Sequence, residues 1–195
     1  MQPDVSVVIA AYNAEATLAE AIRSALAQRG VEVEVVVADD ASQDGTAAIA
    51  RAFPEPAVRL VRLTENRGPG GARNAGLAAA RGRWIAVLDA DDTMQPDRLA
   101  RLTARAGKED ARIVVDNLLV AEGEGERRTM FPPSDLAKLG RLTLADFIRS
   151  NCLFRARHNF GYMKPVFERA FVEAHGLRYN ETLRIGEDYL FLATA

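Results

Sequence analysis

Trp84-Ile85-Ala86-Val87-Leu88 is a short, β-branched and aromatic run that stops abruptly at Asp89-Ala90-Asp91-Asp92. Such a run reads as a strand buried on both faces, which belongs inside a parallel sheet covered by helices. The acids then stand at its carboxyl end, where open α/β sheets place their ligands. Asp89 and Asp91 flank one small residue, Ala90, so both carboxylates can turn toward one hard cation. Mg²⁺ or Mn²⁺ held by one or two carboxylates keeps coordination sites open for diphosphate oxygens. The plainer reading makes Asp91 or Asp92 the cap of a helix over Pro96 to Ala106.

The amino-terminal half repeats this pattern. Val5 to Ala11 reads as a buried strand ending at Tyr12-Asn13, with Asn13 capping a helix that carries Leu18, Ile22 and Leu26 at helical spacing. A second strand, Val33 to Ala38, runs into Asp39-Asp40-Ala41-Ser42-Gln43-Asp44-Gly45-Thr46. Strand, helix, strand predicts a right-handed parallel crossover. Thr46 to Phe53 is a short helix and Val58 to Leu63 a third strand. Asn66-Arg67-Gly68-Pro69-Gly70-Gly71-Ala72-Arg73-Asn74 is a glycine-rich loop leading into a helix. Its glycines permit either an anion at the helix start or close helix packing. Arg73, one turn in, carries a fork that suits a diphosphate or a base carbonyl.

Beyond residue 110 the regularity loosens. Ile113 to Val120 is expected as a strand, Gly123 and Gly125 in a turn, and Arg127 to Pro133 as the return arm of a hairpin. Helices are expected at Leu136 to Leu139, at Leu144 to Ile148 capped by Thr143, and around Phe167 to His175 before Gly176. Gly161-Tyr162-Met163 is expected as a short strand, and Glu187-Asp188 opens a last apolar segment. The 195 residues suffice for one domain, which at that size buries about 70% of its unfolded surface. Residues 1–195 are expected to form a single unit, with 1–110 one half and 111–195 the other.

Lys and Arg number 25 against 27 Asp and Glu, a formal net charge of −2, so no electrostatic footprint for nucleic acid exists. A single cysteine, Cys152, excludes an internal disulfide and a cysteine-rich metal site. Met1-Gln2-Pro3-Asp4 lacks the basic start and apolar core of a signal peptide, and no stretch reaches the ~18 apolar residues of a membrane span. The expected location is cytoplasmic, extending to the inner face of a membrane if a partner or a missing carboxyl-terminal segment supplies peripheral association. His175 reads as a helix-end cap and His158 as part of a basic surface run with Arg155 and Arg157, so neither joins the metal set.

Five blocks in order, Val7 to Asn13, Val36 to Thr46, Asn66 to Asn74, Asp89 to Asp92 and Glu187-Asp188, resemble glycosyltransferase family 2. The resemblance implies a GT-A fold: an α/β, Rossmann-like, mostly parallel central sheet flanked by helices, with a mixed acceptor-side half. It further implies a nucleoside-diphosphate sugar donor, commonly a UDP-sugar, a divalent metal, a saccharide or lipid-linked acceptor, and inversion at the anomeric carbon. Ala11, Tyr12, Asp39, Arg73, Asp89 and Ala90 would form the donor set: Ala11 and Tyr12 against the base, Asp39 on its ring N–H, Asp89 on the ribose. Asp91 would bind the metal. Glu187 and Asp188 would be the acceptor-side acids, with Asp188 the base. Family members usually continue beyond this acid pair, so the acceptor half is expected to be truncated.

The chemistry stands without the name. Displacing a diphosphate from a sugar carbon needs charge neutralised on the leaving group and a proton removed from the attacking hydroxyl. Two readings compete: a catalytically impaired nucleotide-sugar-binding subunit of a synthase complex, and a sugar nucleotidyltransferase. The latter would place its glycines directly after the first strand, where Tyr12-Asn13-Ala14-Glu15 stands instead.

Overall fold

The computed structural model describes residues 2–122, 126–152 and 158–195. Gly123, Gly125, Arg155 and Arg157, singled out above, lie outside the described residues. The main sheet has six strands: β1 (Val5–Ala11), β2 (Val33–Asp39), β3 (Val58–Arg62), β4 (Trp84–Asp89), β5 (Ile113–Val114) and β8 (Val166–Glu168). Their spatial order is β3-β2-β1-β4-β8-β5. The first four are parallel, and β8 runs antiparallel to both β4 and β5. A separate antiparallel ribbon joins β6 (Leu119–Glu122) and β7 (Glu126–Thr129). This is the mostly parallel sheet, mixed on its second-half side, that the family resemblance implied, with its parallel strands where the apolar runs put them.

Both faces of the sheet are covered, which is why its central strands lack a polar face. Val7 and Ile9 pack with α1 (Leu18–Leu26) and α4 (Arg98–Glu109) through Leu18, Ile22, Leu99 and Leu102. Val8, Val36, Ile85 and Phe167 pack on the other face with Leu77 of α3 (Gly68–Ala79) and Phe191 of α8 (Glu187–Thr194). Fully burying a side chain of this size contributes about 1.5–3 kcal/mol relative to exposure. A third cluster, Phe131, Phe147, Phe160 and Met163, lies in the second half, among α5 (Pro133–Leu139) and α6 (Leu144–Ser150).

Several boundaries differ from the sequence expectation, each for a local reason. Asn13 does not cap α1, whose N-cap is Thr17. Its backbone instead adopts φ 49°, its N–H donates to Ser42 Oγ at 2.9 Å, and its Oδ1 accepts Gln43 N–H at 2.9 Å. Asn13 therefore ties the loop after β1 to the loop after β2. The glycine-rich stretch is the first turn of α3 itself rather than a loop before it. The helix after the acidic turn starts at Arg98 behind Asp97, so Asp91 and Asp92 are not its caps.

The strand expected over 113–120 is split. Asp116 is drawn to Arg98, and the Asn117 amide bonds both the N–H and the C=O of Phe131, so residues 115–118 leave the sheet. Phe160–Tyr162 forms a 3-10 turn, not a strand, because Asn159 Oδ1 accepts the Gly161 N–H at 2.9 Å. The strand is Val166–Glu168 instead, which shortens the following helix, α7, to Arg169–Ala174. The hairpin β6–β7, the short helix α2 (Thr46–Arg51) and the Thr143 cap of α6, a reciprocal capping box with Asp146, follow the sequence.

Candidate active site

In the order β3-β2-β1-β4 the chain winds outward from β1 to β3 and then crosses back to β4, so connections leave β1 in opposite directions. The crevice at such a switch point is where ligands bind. Strand register brings its residues together: Ala11 lies opposite Asp39, and Ala10 opposite Asp89. A cavity of about 540 Å³ opens here, lined among others by Ala11, Tyr12, Asp40, Arg73, Asp89, Ala90, Asp91 and Arg184. That is the scale of a small-molecule site. Tyr12 lines this cavity and is 52% exposed.

Asp39 and Asp40 divide their work. Asp40 accepts the N–H groups of Arg67 at 2.7 Å and Gly68 at 2.8 Å, capping α3 from across the crevice. Asp39 is fully buried; its Oδ1 accepts Ser42 N–H, and its Oδ2 lies 3.1 Å from Arg62 Nε but accepts no directed hydrogen bond among the described residues. A buried carboxylate oxygen left without a hydrogen bond has capacity for a ligand donor.

At the end of β4 the oxygens of Asp89, Asp91 and Asp92 lie within 4.8 Å of one another, an all-oxygen set that suits a hard divalent cation. Asp89 is already engaged, through Oδ1 by Arg73 at 3.0 Å and through Oδ2 by Lys164 at 2.5 Å. Burial would raise its carboxyl, but Lys164 and Arg73 outweigh burial and hold it below the ordinary value. Asp91 and Asp92 are the exposed members. Partial burial, with Asp89 and Asp91 alongside, pushes the Asp92 carboxyl up.

Arg73 connects this turn to the acids of α8. It is 6% exposed and reaches Glu187 at 2.6 Å and Asp188 at 3.2 Å while holding Asp89. Its charged form is held despite burial because Asp188, Asp89 and Glu187 surround it. The position depends on close packing: a Cβ on Gly76 would strike Val8, so only a glycine lets α3 lie this near β1. Burial also pushes the Asp188 carboxyl above its ordinary value, with Glu187 and Asp89 adding to burial and Arg73 and Lys164 opposing it.

Ala11, Tyr12, Arg73, Asp89, Ala90 and Asp91 thus line one cavity, Glu187 and Asp188 pair with Arg73 beside it, and Asp39 is buried next to Ala11. From the sequence Lys164 is only one of several second-half residues, with Arg155, Arg157, Tyr162 and Tyr179, offered for the acceptor side without a motif, and Arg184 was missed. Lys164 follows an unremarkable Gly161-Tyr162-Met163, and Arg184, hydrogen-bonded to Asn66 at 3.0 Å, sits in a loop without a motif. Only the nearness of Arg184 to Glu187-Asp188 was a signal. His158 bonds Asp135 at 3.0 Å, and His175 ends α7 with its ring on the Phe171 carbonyl.

The sheet and crevice define an α/β protein of the GT-A class. Residues 6–171 match the model of Glycosyl transferase family 2. The chain is 61% identical over 193 residues to the succinoglycan biosynthesis protein ExoO of Rhizobium meliloti, covering 99% of this chain and 56% of that one. It is 42% identical over 199 residues to ExoU of the same organism, with 98% and 56% covered. Among solved structures, S. aureus TarS 1-349 in complex with UDP-GlcNAc superposes with a TM-score of 0.77 at 25% identity, over 98% of this chain and 52% of TarS 1-349. The chain belongs to glycosyl transferase family 2. It spans about half the length of these relatives.

Proposed function

We propose that this chain forms the donor-binding and catalytic region of an inverting glycosyltransferase. It moves a sugar from a UDP-sugar to a saccharide or lipid-linked acceptor in polysaccharide biosynthesis. The observation that carries the reading is the Arg73 bridge, which holds the donor-side Asp89 and the acceptor-side Glu187 and Asp188 around one crevice. The relatives named for succinoglycan biosynthesis support the pathway class, and the UDP-GlcNAc complex of TarS supports the donor class.

In this reading the base lies against Ala11 and Tyr12, with Asp39 Oδ2 accepting its ring N–H. Asp89 meets the ribose, and Arg73 orients the donor. Asp91, with Asp92 beside it, would hold Mn²⁺ or Mg²⁺, which when bound would neutralise charge on the departing diphosphate. Asp188 takes the proton of the acceptor hydroxyl as its oxygen attacks the anomeric carbon. The new C–O bond forms as the bond to the diphosphate breaks, and the electron pair leaves with the diphosphate. One displacement from the opposite face inverts the carbon. Residues 1–110 are then the nucleotide-sugar half and 111–195 the acceptor half of one domain. Among the described residues no helix is long and apolar enough to cross a membrane, so membrane association would rest on a partner or on further sequence.

Calorimetric titration of UDP with and without Mn²⁺ tests the donor site. Metal should tighten binding in the wild type, and Asp91→Ala should lose that gain while keeping metal-free binding. Equal affinity with and without metal in the wild type would remove the cation from this reading.

A further inference from the structure

Lys164 precedes Pro165 and β8, in the second half of the chain, yet its ammonium reaches the donor turn. Nζ lies 2.5 Å from Asp89 Oδ2 and 3.8 Å from Asp188 Oδ2. Arg73 holds the other oxygen of each acid, Asp89 Oδ1 at 3.0 Å and Asp188 Oδ1 at 3.2 Å. Two cations therefore pair with the same two carboxylates, each through a different oxygen. A single flexible carboxylate beside one cation can rotate about it. Asp89 is held at both oxygens, and Asp188 has a cation at ion-pair distance from each of its oxygens.

The backbone of Lys164 is fixed in turn. Its carbonyl accepts Arg98 Nη2 at 2.6 Å, and Arg98 forms a two-pronged pair with Asp116. The next carbonyl, of Pro165, accepts the Val87 N–H of β4. Lys164 is thus mounted on α4 and β4, the two elements that flank the acid turn. Its side chain is largely buried, so the pairs are poorly screened by water.

We propose that Lys164 is a positioning residue for Asp188: with Arg73 it fixes the orientation of that carboxylate relative to Asp89, setting the base at a constant offset from the donor. The proposal rests on the reading of Asp188 as the general base. Because Lys164 also pairs with Asp89, the acid on the donor side, its loss acts on donor affinity as well, and the part that belongs to Asp188 is read from kcat and from the Asp188 titration. The charged and titratable groups facing Asp188 are Arg73, Lys164, Glu187, Asp89 and the buried Tyr179.

The test uses Lys164→Met, Lys164→Gln and Lys164→Arg beside Asp188→Asn. One measurement needs no donor: carbon-13 NMR titration of the Asp188 carboxyl. The midpoint should rise by about half a pH unit or more in Lys164→Met and Lys164→Gln, because a cation near a carboxylate favours its ionised form, and should return toward wild type in Lys164→Arg. The second measurement is UDP release from UDP-glucose with Mn²⁺. Here kcat should fall about tenfold or more, beside any rise in donor KM from the lost Asp89 pair, and Lys164→Arg should recover most of the loss in kcat. The Gln variant, which keeps length and a donor group, decides the matter if the Met variant fails to fold. An unmoved midpoint, or a loss confined to KM, overturns the role of Lys164. Unchanged turnover in Asp188→Asn overturns the base itself, which is a separate failure.

Discussion

Each acid in the crevice is tuned by its neighbours rather than by its type. Burial raises Asp188, while Arg73 and Lys164 hold Asp89 below the ordinary value although it too is buried. A general base must be ionised, and the Asp188 value lies above the usual 3.8. Activity should therefore fall as pH drops through a midpoint above that of a free aspartate, about 3.9, and kcat against pH will locate that limb. Asp188→Asn should keep UDP affinity within about twofold and lose transfer by about 10²-fold or more, since a positioned base contributes roughly that much. Transfer at the wild-type rate would exclude Asp188 from the mechanism. At this scale the sequence was informative where a carboxylate follows an apolar run. It offered Lys164 for the acceptor side but not its pairing with Asp89, because nothing local marks a lysine as buried.

At the scale of elements, α3 does the positioning. Its glycines serve close packing: Gly76 rests on Val8, and Gly70 lies where a Cβ would come within 2.9 Å of the Asn180 carbonyl oxygen. Gly68, at φ 78°, leaves room for the Arg184 guanidinium. Gly76→Val should lower stability by about 1–3 kcal/mol through overpacking, and donor affinity should fall with it as Arg73 is displaced. Chemical denaturation and UDP titration on the same preparation check both. A stability loss with unchanged affinity would mean that Arg73 keeps its place by its ion pairs alone. The periodicity of α1 and the apolar strands was readable because each is a local pattern. The split at residues 115–118 was not, since it depends on Arg98 and Phe131.

Across the whole molecule, the two halves meet in a network of buried charges. Arg73 of the first half pairs with Glu187 of the second, 114 residues away, and Lys164 of the second pairs with Asp89 of the first. Residues 1–195 should therefore unfold in a single transition near neutral pH, with near-ultraviolet dichroism and calorimetry giving one midpoint. Two separated transitions would divide the halves into independent domains. Asp89 adds a pH dependence of known sign. Its folded value is depressed, so its contribution is fully present above the unfolded value and is lost as pH falls below about 4 through the folded one. Acid titration should thus weaken the junction first.

The sequence by itself determined the apolar strands, the helices between them, the carboxylates at the ends of β2 and β4, and the acid pair that opens α8. These are set by local periodicity, by turn chemistry and by residue order, which a linear chain displays openly. Tertiary structure alone decided which of those acids are gripped by cations, that Asp40 caps α3 while Asp39 is buried with an oxygen to spare, and that Lys164 reaches Asp89. Those outcomes depend on separations of a few ångströms between residues far apart in the chain. Burial then fixes the strength of each pair, and burial is a property of the packed whole.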